Sequence, residues 1–148
     1  MQSSQLWKDI AMKFAIAVAA ALFATQAQAA EIAVSTGAFH GGNFAPADTA
    51  SGGVSLIKLE NGKYELRLGD DFNTTPGPDL FVYLSASADP QDGDAITGNE
   101  FVDAGKLGSP TGDQKYSLAS DFDPRKFKSV AIWCKQFSVL FGAAALSK

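Results

Sequence analysis

Ser129-Val130-Ala131-Ile132-Trp133-Cys134-Lys135-Gln136-Phe137-Ser138-Val139-Leu140-Phe141-Gly142-Ala143-Ala144-Ala145-Leu146 is two apolar runs around a short polar break. Side chains of a strand alternate between faces, so Val130, Ile132 and Cys134 share one side and Ala131 and Trp133 the other. A turn through Lys135 and Gln136 sets Cys134 opposite Phe137, Ile132 opposite Val139 and Val130 opposite Phe141. Six apolar side chains then share one face, and a slip of one residue would turn half of them away. The stretch predicts a hairpin with a buried face, and it carries the only cysteine of the chain.

Upstream, the same alternation recurs around Asn61-Gly62, a dipeptide suited to a two-residue turn because both positions need positive φ. Counting outward pairs Glu60 with Lys63 and Lys58 with Glu65 on a wet face, and Leu59 with Tyr64 and Ile57 with Leu66 on a dry one. Leu80 to Leu84 is apolar on both faces, as in a strand covered on each side. Thr36 to His40, Phe101 to Leu107 and Gln114 to Leu118 read as shorter strands. Gly41 to Gly53, Asp70 to Pro78 and Ser85 to Asn99 read as loops, and Asp123-Pro124 as the start of a single helical turn over Asp121 to Lys128. With 14 Gly and 6 Pro between short strands, the expected fold is all-β, an antiparallel β-sandwich or partly open barrel of about seven to eight strands.

Residues 1–29 have the form of a secretory signal peptide. Met12-Lys13 opens a basic start, Phe14 to Phe23 an apolar run, and Ala27-Gln28-Ala29 a small-x-small cleavage site, with Met12 an alternative first residue. The apolar run falls short of the roughly 20 residues that span a bilayer, and no transmembrane segment follows. The expectation is a periplasmic or secreted protein whose working part, residues 30–148, is one domain. Cleavage would remove Lys8, Lys13 and Asp9, leaving 10 basic and 15 acidic side chains, a net charge of −5. Nucleic acid is not an expected partner, since it requires clustered basic residues. An exported chain with one cysteine closes no internal disulfide, so its thiol calls for another explanation, burial or chemistry.

Cys134 therefore leads the candidate chemistry, either as a small buried hydrophobe or as a redox thiol or ligand to a prosthetic group. Trp133 adjoins it, and Lys135 is a nearby cation of the kind that favours a thiolate. His40 is the only histidine, so any imidazole ligand or acid-base group must be that one. Both methionines, Met1 and Met12, precede residue 30, and there is no Cys-x-x-Cys-His. A His/Met or covalently attached haem is thereby excluded from residues 30–148, and a haem there would use Cys134, His40 or both. Asp89, Asp92 and Asp94, with Glu100, are weak calcium candidates whose spacing does not fit an EF-hand. No Gly-x-Ser-x-Gly, His-Glu-x-x-His or phosphate loop occurs, so no catalytic motif points to an enzyme.

Several segments together resemble the DM-thirteen domain family, an electron-transfer domain. They are Thr36-Gly37-Ala38-Phe39, Ser51-Gly52-Gly53-Val54, Tyr64-Glu65-Leu66-Arg67-Leu68, Gly77-Pro78-Asp79-Leu80-Phe81-Val82-Tyr83-Leu84, Gly112-Asp113-Gln114-Lys115-Tyr116, and Ser129 to Cys134 with Phe137 to Leu146. The Gly-Pro-Asp-Leu and Ile-Trp-Cys pieces are the specific ones. The resemblance implies a β-rich domain around a redox cysteine matching Cys134, acting as a bare thiol or through a group such as haem. The family pattern has a histidine just before Ser-Gly-x-Val; here that neighbourhood holds Asp48. The reading is an exported redox or electron-transfer module acting through Cys134 with an unknown redox partner. The alternative is an extracytoplasmic ligand- or protein-binding module in which Cys134 fills the core.

Overall fold

The computed structural model describes residues 30–42 and 49–148. Residues 1–29, where a signal peptide is expected, and Asp48 lie outside the described residues. The described residues form an all-β structure with three antiparallel sheets and one short helix. One sheet has the order β1(Ile32–Ala38), β4(Gly53–Lys58), β5(Tyr64–Leu68), β9(Gln114–Ser117). The second has the order β2(His40–Gly41), β11(Val139–Ala145), β10(Ser129–Cys134), β7(Leu80–Ser85), β8(Phe101–Lys106). β3(Ala50–Ser51) and β6(Asn73–Thr74) make a small third sheet. The sheets do not close into a barrel. No helix among the described residues is long and apolar enough to cross a membrane.

The two large sheets share one core. Val54, Leu56, Leu66, Leu68 and Tyr116 come from the first, and Leu80, Val82, Leu84, Val130, Ile132, Cys134, Val139, Phe141 and Ala144 from the second. Burying each such aliphatic side chain contributes roughly 1.5–3 kcal/mol. The outer face of the second sheet is also dry, because Tyr83, Ala131, Trp133, Leu140 and Ala143 pack with Ile96 of α1(Gly93–Thr97). This explains why β7 and β10 are apolar on both faces, and all six residues of β10 are buried.

Both hairpins depart from their expected registers. Leu59 N–H bonds to Lys63 O at 2.8 Å and Gly62 N–H to Leu59 O at 2.9 Å, so Glu60, Asn61 and Gly62 form a three-residue loop. Gly62 has φ 81°, the left-handed residue that such a loop requires. Lys58 therefore faces Tyr64 and Leu56 faces Leu66, and the expected pairs Lys58–Glu65 and Ile57–Leu66 do not form. The extra loop residue thus puts Leu56, not Ile57, on the face of Leu66.

In the second hairpin four residues, Lys135 to Ser138, connect the strands, with Ser138 at φ 53°. Cys134 pairs with Val139, not with Phe137, which is 62% exposed at the tip. A bulge between Ile132 and Trp133 then sets Ile132 opposite Gly142 and Val130 opposite Ala144. Two β11 residues meet one on β10 there, so Phe141 still reaches the inner core. The other five of the six grouped apolar residues are in the core; Phe137 alone leaves it. Two further corrections concern helix. Residues 121–128 form turns without helix, whereas the supposed loop of residues 85–99 contains α1. Eleven strands form among the described residues, three of them only two residues long.

Candidate redox site around Cys134

The two specific sequence motifs meet side by side. Leu80 is the register partner of Cys134, Phe81 that of Trp133, and Val82 that of Ile132. Lys135 N–H donates to Asp79 O at 3.0 Å, extending the ladder past the strand ends. Gly77 turns the incoming chain over this end of the core: a Cβ there would lie 2.9 Å from Leu80 Cδ2 and 3.0 Å from Phe141 Cζ. Gly-Pro-Asp-Leu thus forms the wall and part of the lid beside Ile-Trp-Cys.

Cys134 is free and fully buried at 0% exposure, within the core that holds Leu80, Val139 and Phe141. Trp133, one residue earlier, projects to the opposite face of the sheet. Its indole stacks with Tyr83, centroids 6.1 Å apart, and Tyr83 stacks with Phe101 at 4.9 Å and 5°. Phe101 is 42% exposed, so an aromatic ladder across β10, β7 and β8 runs from beside the cysteine to solvent.

Lys135 belongs to this outer face. Its Nζ lies 3.6 Å above the Phe81 ring and 2.6 Å from Asp103 Oδ2. The hydrogen bond that Lys135 donates to the Asp103 carboxylate holds its ammonium above its ordinary pKa, with Tyr83 adding to the effect. Burial raises the Tyr83 phenol, partly offset by Lys135. The cation expected beside the thiol is therefore committed to a carboxylate and an aromatic face. Tyr83, Phe101 and Asp103 were absent from the sequence-derived site, because only the pairing of β7 and β8 with β10 brings them together.

His40 is not brought to Cys134. It faces Ala143, an outer-face residue of the second sheet, whereas Cys134 points inward. Nδ1 lies 2.9 Å from Gly41 O and Nε2 2.7 Å from Asp89 Oδ1, so both ring nitrogens face acceptors. Burial opposes the charged ring, yet the Gly41 carbonyl and Asp89 outweigh it and raise the pKa above 6.5. A raised folded pKa stabilises fully below the unfolded value near 6.5 and loses that contribution as pH rises through the folded value. Thermal midpoints measured between about pH 6 and pH 8 should therefore fall more in the wild type than in Asp89→Asn. Equal slopes would remove this pair from the pH response.

The remaining carboxylates have separate partners. Asp92 Oδ1 accepts from Ala95 N–H at 3.0 Å and caps α1, Asp94 lies in its first turn, and Glu100 is 3.5 Å from Lys126 Nζ. Among the described residues, no three His, Cys, Asp or Glu side chains converge as a metal site. A haem does not fit the site either. The cysteine sulfur is enclosed by packed core side chains, and the cavity beside Leu80, lined also by Pro76, Gly77 and Pro78, has about 120 Å³. Ligand cavities begin at about 300 Å³.

No curated protein and no solved structure matches the chain. A family model described as Electron transfer DM13 matches residues 44–146. That span contains the motif pair around Cys134 and the aromatic ladder, and leaves out β1 and His40. With most of its length matched, the chain belongs to the Electron transfer DM13 family and is by that membership a module of the redox type.

Proposed function

We propose that the protein is an exported electron-transfer module in which Cys134, as a bare thiol, is the redox centre and Trp133 and Tyr83 connect it to the surface. The observation that carries this reading is the backbone link from the buried sulfur to an indole that stacks on Tyr83. A thiol at 0% exposure offers no path for direct disulfide exchange with a folded partner. Single electrons can instead leave through the aromatic ladder to an oxidising partner docked over Phe101. Cys134 then refills the ladder: its S–H bond breaks, the electron reduces a Trp133 radical that has already lost its indole proton, and the proton restores the indole N–H, leaving a thiyl radical at Cys134.

Pulse radiolysis with azide radical as the one-electron oxidant tests this. The wild type should show an aromatic radical that decays quickly as Cys134 donates, with a long-lived radical in Cys134→Ala. Equal decay in both proteins would remove the thiol from the path. A Soret band that shifts with dithionite would overturn the bare-thiol form. Export is supported by the form of residues 1–29 and predicts a periplasmic or secreted species whose N-terminal residue is Ala30. Recovery of full-length protein from the cytoplasm alone would contradict it.

The second reading, a ligand- or protein-binding module, is favoured by the burial of Cys134 among aliphatic side chains. It predicts radical decay independent of residue 134.

A further inference from the structure

Residues Val34 and Ser35 of β1, the turn segment of residues 124–128 and the chain just after β11 enclose a groove of about 330 Å³. Its apolar lining is Val34, Pro124, Phe127 and Leu146, and its charged lining is Arg125, Lys128 and Lys148. The floor is tied down, since Leu146 N–H donates to Lys128 O at 2.8 Å. Among the described residues, no carboxylate side chain lines the groove. Arg125 is matched by Asp123, with Nε–Oδ1 and Nη2–Oδ2 both 2.9 Å. Lys128 and Lys148 form no ion pair among the described residues. In a chain with more acidic than basic residues, Lys128 and Lys148, the two lining cations without an acidic partner among the described residues, make a local positive site beside an apolar floor.

We propose that this groove binds a small amphipathic carboxylate, its apolar body against Val34, Phe127 and Leu146 and its carboxylate at Lys128 and Lys148. The volume accommodates on the order of ten non-hydrogen atoms, at about 30 Å³ for a water-sized unit, which is the size of a medium-chain fatty acid or a simple aryl carboxylate. Apolar walls with a few convergent charged groups are the usual make-up of a small-ligand site. The proposal rests on the groove and stands apart from the redox reading of Cys134.

Octanoate is the probe, titrated into the full protein as purified from its host. Amide resonances of Val34, Ser35, Phe127, Lys128 and Leu146 should move in a saturable manner, and the thermal midpoint should rise with octanoate by mass action. Octanol, with the same chain and no charge, should bind about tenfold or more weakly, because it lacks the charged hydrogen-bond partner. The doubly substituted Lys128→Gln, Lys148→Gln protein should lose octanoate affinity to a similar degree, with the midpoint of the free protein unchanged. The proposal is overturned by an absence of saturable shifts, by octanol binding as tightly as octanoate, or by full affinity in the double variant. Binding to anionic phospholipid vesicles without binding to free octanoate would likewise overturn it, in favour of a lipid surface.

Discussion

Gly52→Ala is expected to destabilise the fold by about 3 kcal/mol or more, and Gly62→Ala by roughly 1–2 kcal/mol, although both glycines have positive φ. Gly52 has φ 96° and Gly62 φ 81°, so a side chain meets backbone strain at either position. The difference is the space around each. A Cβ on Gly52 would lie 2.5 Å from Asp71 O and 2.6 Å from Phe72 Cα, whereas one on Gly62 would have nothing within 4 Å. Main-chain atoms cannot swing aside as a side-chain end can, so alanine at 52 must push the segment of residues 71–72 away from β4.

That segment supports Phe72, which is buried and packs edge-on against Phe39 with centroids 5.4 Å apart. Asp71 Oδ1 also accepts from Gly53 N–H at 2.9 Å, and Gly52 O accepts from Phe39 N–H at 2.9 Å. Displacement therefore propagates into the end of the core beneath the small third sheet. Urea unfolding of the two variants measures the difference directly. A cost for Gly52→Ala no larger than for Gly62→Ala would mean that the close approach of residues 71–72 does not constrain the fold.

The same glycine shows where the sequence was readable. Ser51-Gly52-Gly53-Val54 was recognisable as a motif, but its reason, backbone contact with a segment some twenty residues away, depends on tertiary structure. Asn61-Gly62 marked a hairpin correctly and its register wrongly. The dipeptide favours a two-residue turn, whereas Gly62 supplies the left-handed residue of a three-residue loop, and local sequence hardly distinguishes the two. One residue of loop was enough to exchange Ile57 for Leu56 at the core. The final hairpin was more forgiving. Both its faces are dry, so a longer turn and a bulge left most of its apolar residues buried and expelled only Phe137.

The site divides in the same way. Cys134 and the two motifs flanking it were legible because each is a contiguous string. The partition of Cys134 from Trp133 and Lys135 across the sheet follows from strand alternation. Asp103, Tyr83 and Phe101 were not legible, since their proximity to residues 133–135 is set by strand order, which no local pattern encodes. His40 was singled out for its chemistry, yet its partner proved to be Asp89 on the outer face. Residue type marked both as functional candidates; the fold made them an ion pair remote from the thiol.

Substitutions of Cys134 should separate its packing role from its redox role, because the two rank the variants differently. The sulfur lies at 0% exposure beside Leu80 and Val139. Serine there places a hydroxyl among aliphatic groups, at a cost of about 1–3 kcal/mol for the desolvated polar group. Alanine removes the sulfur and leaves a small void, which costs on the order of 1–2 kcal/mol. Valine adds volume to a filled site, at about 1–3 kcal/mol for overpacking. Stability measured by urea unfolding should therefore fall in all three variants, with alanine among the mildest. If Cys134 only fills the core, any function should follow that order, and Cys134→Ala should remain close to wild type under conditions where the fold is intact. If the thiol is the electron donor, all three should fail equally in radical quenching, irrespective of their stabilities. Loss of quenching in the well-folded alanine variant would establish the thiol as the donor. Retention would leave the aromatic ladder without a buried source of electrons and turn the assignment to the binding module.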